Sequence, residues 1–192
     1  MTRFRKRRKT VVVSFAEHEA DILANLLRNL VELLYDGLPP RATESSDPLA
    51  ALLDSDGPTS PPEDVVLQRL LPDAYQQDDM AAAEFRRFTE GSLRDGKASG
   101  AAMVIDGLED AGLPPELGEE KVVIDIELDE GAALVWLKTF TDLRLALATR
   151  LEVEQDDEAF WAALPDDDPR SQAHDIYEWI GALQETLVDS LR

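Results

Sequence analysis

Clustered carboxylates are the side chains of this sequence with the clearest capacity for chemistry. Three consecutive aspartates occupy positions 166–168, and Asp156, Asp157 and Glu158 form a second cluster. Carboxylate oxygens of this kind bind hard cations such as Ca²⁺ and Mg²⁺. However, the spacing of an EF-hand loop is absent, and Pro169 marks a helix start, where aspartates cap the backbone and complement the helix dipole. The sequence therefore favours a structural role for both clusters and predicts no metal and no cofactor.

The candidates for nucleophilic or acid–base catalysis are equally few. The chain contains no cysteine and only two histidines, His18 and His174, neither of which lies in an H-E-x-x-H pattern. No G-x-S-x-G, phosphate-binding P-loop or G-x-G-x-x-G motif occurs. We therefore predict that the protein is not an enzyme. The alternative of a metal-dependent hydrolase would need a deep cleft that gathers acidic side chains around one of the two histidines.

An alternating row of carboxylates is the more suggestive pattern. Asp125, Glu127 and Asp129 alternate with apolar residues in the segment 121–129. Alternate residues of a strand point to the same face, about 6.7 Å apart. Such a row is typical of a solvated strand face, and it also matches what a basic protein surface would bind. We predict Asp125, Glu127 and Asp129 as a partner-binding site.

The distribution of charge separates the first nine residues from the rest. The chain of 192 residues has a net charge of −21, yet residues 1–9 include six bases and no acid. The bases are Arg3, Arg5, Lys6, Arg7, Arg8 and Lys9. The remaining 183 residues carry 13 basic and 40 acidic side chains, a net charge of −27. An acidic body repels phosphate, so we expect it not to bind DNA directly, while residues 1–9 form a flexible basic tip that acts at most as an electrostatic tether.

The periodicity of apolar residues predicts a mainly α protein. Strands are predicted for Thr10 to Phe15 and for Lys121 to Asp129, where the pattern alternates. A capping box at Ser14 and Glu17 predicts the start of the first helix. Further helices are predicted near 61–71, 80–90, 98–111, 132–151 and 158–164, and at the carboxyl end of the chain. The fold class is therefore a single-domain helical bundle over 10–192, with a small two-stranded β element and a Pro/Ser/Asp-rich surface segment at about 38–62.

The hydropathy profile excludes two further classes of protein. No run of 18 apolar residues is present, so no membrane span and no membrane partner are predicted. The apolar run after the basic start is limited to Val11–Val13, which is too short for a secretory signal, and we expect a cytoplasmic protein. The sequence allows a homo-oligomer, for example through the helix that carries Trp179, but contains no positive evidence for one.

The order of these segments resembles a known family. The segments that carry the resemblance are FAEHEADILANLLRNLVELL, DPLAALL, VVLQRLLPDAY, EFRRFTEGSLRDGK, LVWLKTFTDLRLALATRLEV, LPDDDPR and IYEWIGALQETLVDSL. They resemble the actinobacterial family of the domain of unknown function 2017, the AosR-like family of oxidative-stress regulators. The resemblance covers nearly the whole chain, and it rests on core helices and turns without any catalytic signature.

The resemblance implies a role in transcription. It further implies action together with a sigma factor and the sensing of oxidant through a C-x-x-x-C pair. This chain departs from that pattern because it has no cysteine, so a thiol switch within the chain is excluded. What remains is a regulator whose acidic surface binds a basic protein, with a sigma factor or an RNA polymerase component as the expected partner. The alternative is an adaptor or structural protein with no role in transcription.

Overall fold

The computed structural model describes residues 2–36, 57–115, 122–165 and 167–192. Within these ranges the strands are β1 (Arg5–Arg7), β2 (Thr10–Ala16) and β3 (Val123–Leu128). The helices are α1 (Glu17–Tyr35), α2 (Val65–Leu70), α3 (Asp79–Asp110), α4 (Glu130–Leu151), α5 (Glu158–Ala162) and α6 (Pro169–Leu191). The prediction of a mainly α fold is confirmed. The helical turn expected within the segment 38–62 lies outside the described residues.

The strands form one antiparallel sheet in the order β1-β2-β3. Phe15 pairs with Ile124, Val13 with Ile126 and Val11 with Leu128, and all six side chains are buried. The alternation in β3 therefore predicted both the strand and its buried face, and the expected pairing of the two strands is confirmed. The sheet differs from the prediction in having a third strand, β1, which the chain forms from the basic segment.

The third strand corrects the prediction that residues 1–9 form a flexible basic tip. Phe4 lies between two exposed arginines and is 3% exposed. Its ring contacts the rings of Phe15, Trp136 and Phe140 at centroid distances of 6.0–6.3 Å. Its backbone N–H donates to Thr186 Oγ1 in α6 at 3.2 Å. Burial of one large aromatic side chain outweighs the repulsion among neighbouring bases, because charged side chains at alternate positions remain in water.

Two helix boundaries also differ from the prediction. Helix α1 begins at Glu17 with Ala16 as N-cap, and the Glu19 carboxylate accepts a hydrogen bond from the Ala16 N–H at 2.9 Å. Ser14, predicted as the capping residue, belongs to β2 instead. The helices predicted near 80–90 and 98–111 are one helix, α3, of 32 residues. Glycine in a helix interior costs only about 1 kcal/mol, so the glycines between the two predicted helices do not interrupt it.

Helix α4 lies at the centre of the bundle and contacts α1, α2, α3, α6 and the sheet. Its side chains Trp136, Phe140 and Leu143 are buried, whereas Leu134 is exposed. The buried side chains of the sheet and of helices α1, α2, α3, α4 and α6 form one connected core. None of the helices in the described ranges is long and apolar enough to cross a membrane.

Candidate functional site

The outer face of the sheet brings the two predicted charged segments together. In the antiparallel register, Arg5 lies opposite Val12 and Val12 lies opposite Glu127. Residues directly opposite each other share a face, so an arginine, a small side chain and a carboxylate follow one another across the three strands. Arg7 likewise pairs with Thr10, and Ser14 pairs with Asp125. We call Arg3, Arg5 and Arg7 the basic row, and Asp125, Glu127 and Asp129 the acidic row.

The acidic row is exposed, but its three members differ in what they bind. Ser14 Oγ donates a hydrogen bond to Asp125 Oδ1, and Thr10 Oγ1 donates to Glu127 Oε1 at 2.8 Å. Asp129 is the N-cap of α4, and its carboxylate accepts from the Ala132 N–H at 2.8 Å. Asp125 and Glu127 therefore remain available to a partner beyond one hydroxyl contact each. Asp129 instead caps α4, a structural role that was not predicted from the sequence.

The basic row is held by the strand that Phe4 anchors. Arg3, Arg5, Val12 and Ser14 line a shallow cavity of about 280 Å³ on the outer face. Lys6 is exposed on β1, and Arg8 and Lys9 form the exposed turn to β2. Within the described residues, no ion pair within 4.0 Å joins any of these bases to the acidic row. Because neighbouring strands lie about 4.8 Å apart, the two rows are separated by about 10 Å, which is close to one Debye length.

A buried ionic cluster on α3 was not predicted from the sequence. Arg86, Glu90 and Arg94 are each less than 7% exposed. Glu90 binds both guanidinium groups: Oε2 pairs with Arg86 Nη1, and Oε1 accepts from Arg94 Nε at 2.8 Å and from Arg94 Nη2 at 2.7 Å. The i, i+4, i+8 spacing of these residues was visible in the sequence. Their burial was not, because charged helix residues usually face water.

The ends of two other helices depend on this cluster. Arg94 Nη1 donates to the Leu34 carbonyl in the last turn of α1, and Arg86 Nη2 donates to the Leu71 carbonyl after α2 at 3.0 Å. Arg86 Nη2 also pairs with Asp73 at 2.7 Å. Burial lowers the pKa of Arg86, but the hydrogen bonds to Asp73 and Glu90 outweigh burial and raise that pKa above its ordinary value. The cluster therefore joins α1, α2 and α3, and its hydrogen bonds favour the charged form of Arg86.

The two histidines that a hydrolase would require lie apart and in different surroundings. The ring of His174 stacks on Trp161 with centroids 4.3 Å apart and planes 9° from parallel. Trp161 Nε1 donates to Asp157 Oδ2 at 2.7 Å. His18 lies exposed on α1. In the part of the chain that the structure describes, no group of three His, Asp or Glu side chains is arranged to hold a metal ion.

Of the three aspartates before Pro169, Asp168 caps a helix, as the sequence predicted. Asp168 is the N-cap of α6, and its Oδ1 accepts from the Arg170 N–H at 2.9 Å. The Arg170 guanidinium also donates to Oδ2 at 2.7 Å. These side-chain and backbone hydrogen bonds lower the pKa of Asp168 from 3.8 to about 2. Asp167 is exposed, and Asp166 lies outside the described residues.

The low pKa of Asp168 leads to a testable pH dependence. Because the folded-state pKa lies below the ordinary 3.8, ionised Asp168 stabilises the fold above about pH 4, and this contribution is lost as the pH falls towards about 2. An NMR titration of the side-chain carboxyl from neutral pH downwards should show Asp168 still mainly ionised at pH 3.8. The Asp168→Asn variant should lose this part of the acid dependence. A titration midpoint at or above 3.8 would contradict the assignment.

Comparison with known proteins identifies relatives over nearly the full chain. The family model described as "Domain of unknown function (DUF2017)" matches residues 1–191. A protein of Mycobacterium leprae named "Putative oxidative stress regulator AosR" is 34% identical over 193 aligned residues, which cover 92% of this chain and 80% of the relative. Proteins named "Oxidative stress regulator AosR" from Mycobacterium bovis and Mycobacterium tuberculosis are 30% identical over 188 residues, covering 91% of this chain and 79% of each relative. No solved structure matches significantly.

Proposed function

This chain belongs to the family of the domain of unknown function DUF2017, and on that premise we propose that it is a regulatory protein and not an enzyme. Its relatives are named as oxidative stress regulators, which supports a regulatory role in general. A thiol switch within this chain is excluded because it has no cysteine. The proposed activity is therefore the binding of a protein partner that belongs to the transcription machinery, either a sigma factor or an RNA polymerase component.

The observation that carries this proposal is the charge arrangement on the outer face of the sheet. Asp125 and Glu127 project from a strand whose opposite face is fixed in the core, so their positions are set before a partner arrives. They lie on a body with a large excess of acidic side chains, which attracts a basic partner over long distances and accelerates its docking. Because the basic row lies about 10 Å from the acidic row, this face favours a partner that carries basic and acidic side chains at a similar separation.

The direct test replaces the two available carboxylates. The Asp125→Lys/Glu127→Lys double variant should bind the partner about 10- to 100-fold more weakly, because it places repulsive charge at the docking face. The matched control is Asp106→Lys/Asp110→Lys, which changes the net charge equally at exposed positions on α3. Asp129 is left unchanged because it caps α4. Circular dichroism should show the same helix content in both variants.

Affinity capture from the native host, followed by binding measurements on the purified pair, distinguishes the alternatives. We expect a sigma factor or polymerase component to bind the wild type and the control variant at about 0.05 M salt and to dissociate at about 0.5 M. Recovery of a basic protein outside transcription would favour the adaptor alternative. If the double variant binds as tightly as the control, the acidic row is not the docking site.

A further inference from the structure

Helix α3, the longest of the described helices, exposes large apolar side chains that the proposed function does not use. Four large apolar side chains of α3 are 44–60% exposed: Phe85, Phe88, Leu93 and Met103. Beside them, a groove of about 580 Å³ runs between α3 and α4 and is lined by residues that include Leu93, Gly96, Met103 and Val135. Exposed apolar surface of this extent on a soluble chain marks an interaction site.

One row of residues on α3, which we call the seam, has the spacing of a helix that packs against another helix. Phe85, Thr89, Ser92, Gly96, Ser99 and Met103 follow one another at steps of 4, 3, 4, 3 and 4. Alternation of three and four residues keeps side chains on one side of a helix over its whole length. With a rise of 1.5 Å per residue, the seam is about 27 Å long. All six residues are exposed or half-buried, and none of them is charged.

The seam is also nearly the same when read in the opposite direction. A large side chain lies at each end, Phe85 and Met103, and the smallest side chains, Ser92 and Gly96, lie near the middle. Turned end for end, the helix again presents large side chains at the ends and small ones at the centre. Two antiparallel copies related by a twofold axis would therefore approach closely at Ser92 and Gly96, while Phe85 of each packs against Met103 of the other.

We propose that α3 is the interface of a homodimer, in which two copies of this chain pack antiparallel through the seam from Phe85 to Met103. The absence of charge on the seam lets two chains of net charge −21 meet without burying an unpaired carboxylate. The surrounding acidic side chains still repel, so added salt should strengthen the dimer. A contact about 27 Å long and one helix wide is small, so we expect reversible dimerisation with a Kd in the micromolar range or above.

Two glycines on α3 provide a matched pair of variants. A Cβ added at Gly91 or at Gly96 would meet no atom of the described residues within 4 Å, so these parts of the monomer leave room for a side chain at either position. Gly96 lies at the centre of the seam, and Gly91 lies about 140° around the helix from it. Gly96→Leu should hold the two helices apart and weaken dimerisation at least tenfold. Gly91→Leu should dimerise like the wild type, and both should fold at least as stably because leucine favours helix more than glycine does.

Sedimentation velocity of the full chain, from about 1 to 500 μM and at about 0.15 and 0.5 M salt, tests the proposal. The expected result is a concentration-dependent dimer in the wild type and Gly91→Leu, stronger at high salt, and a monomer in Gly96→Leu. A wild type that stays monomeric throughout, or two variants with equal affinity, would overturn it. Added salt should weaken partner binding at the acidic row and strengthen dimerisation, so the two proposals can fail independently.

The antiparallel arrangement has its own readout. Because the chain has no cysteine, Ser92→Cys introduces a single thiol that can carry a nitroxide label. Packed helices lie 8–10 Å apart, so the two labels of an antiparallel dimer should lie within about 20 Å of each other. A label at Gly91→Cys should give a longer distance. A distance between the Ser92 labels that equals or exceeds the distance between the Gly91 labels would contradict the antiparallel register.

Discussion

Replacing Glu90 by leucine is expected to lower the free energy of unfolding by about 3–5 kcal/mol. Glu90 is 2% exposed and pairs with two buried guanidinium groups. Without its carboxylate, Arg94 has no ion pair among the described residues and Arg86 keeps only Asp73. Removing one partner of a buried ion pair is costly because the remaining charge stays away from water. Urea denaturation measures the change without adding salt that would screen the charges.

Two further variants separate this effect from the loss of any glutamate. Glu84→Leu, at an exposed position on the same helix, should change the stability by no more than about 0.5 kcal/mol. The triple variant Arg86→Met/Glu90→Leu/Arg94→Met removes all three charges and should be more stable than Glu90→Leu alone. It still leaves the Leu34 and Leu71 carbonyls without these donors. A loss below about 1 kcal/mol for Glu90→Leu would show that the two arginines reach water.

Replacing Phe4 by alanine is expected to cost about 3–4 kcal/mol, which is large for a residue so close to the chain start. The phenyl ring contacts three other buried aromatic rings, and its removal leaves a cavity between the sheet and α4. The variant should lose the pairing of β1 as well as overall stability, because β1 is only three residues long and depends on this contact. Urea denaturation gives the stability, and amide hydrogen exchange of β1 and β2 reports the strand.

The neighbouring residue Arg5 supplies the control for Phe4. Arg5 is exposed on the outer face of the same strand, so Arg5→Ala should change the stability by no more than about 0.5 kcal/mol and leave exchange in β2 unchanged. In Phe4→Ala, the amides that pair β1 with β2 should exchange faster. Wild-type protection of those amides in Phe4→Ala would mean that hydrogen bonding alone holds the basic row in place.

The sequence predicted those elements whose burial follows from regular spacing. Ile124, Ile126 and Leu128 alternate with polar residues, and they are buried on one face of β3 as expected. Trp136, Phe140 and Leu143 of α4 are buried at helical spacing. In both cases local geometry and hydrophobic burial favour the same arrangement, so a short pattern was sufficient.

The features that the sequence did not predict depend on contacts between distant residues. Phe4 is a single large apolar residue in a cationic segment, and two of the three rings that it contacts, Trp136 and Phe140, are more than a hundred positions away. The glycines of α3 suggested a break, whereas tertiary packing keeps the helix continuous. The acidic row was predicted, but its position beside the basic row depends on β2 lying between them.

The hydrogen bond between Phe4 and Thr186 joins residues 182 positions apart and therefore constrains when the protein can fold during its synthesis. The basic strand leaves the ribosome before the helix α6 that packs against it, because β1 lies earlier in the chain. At about 5–20 residues per second, synthesis of the chain from Phe4 to Thr186 takes about 10–40 s, during which Phe4 lacks its hydrogen-bond partner on α6. Contacts of such long sequence separation also slow folding. The segment that carries the six bases is therefore synthesised well before the helix that fixes it, and β1 can take its final place only after α6 has been made.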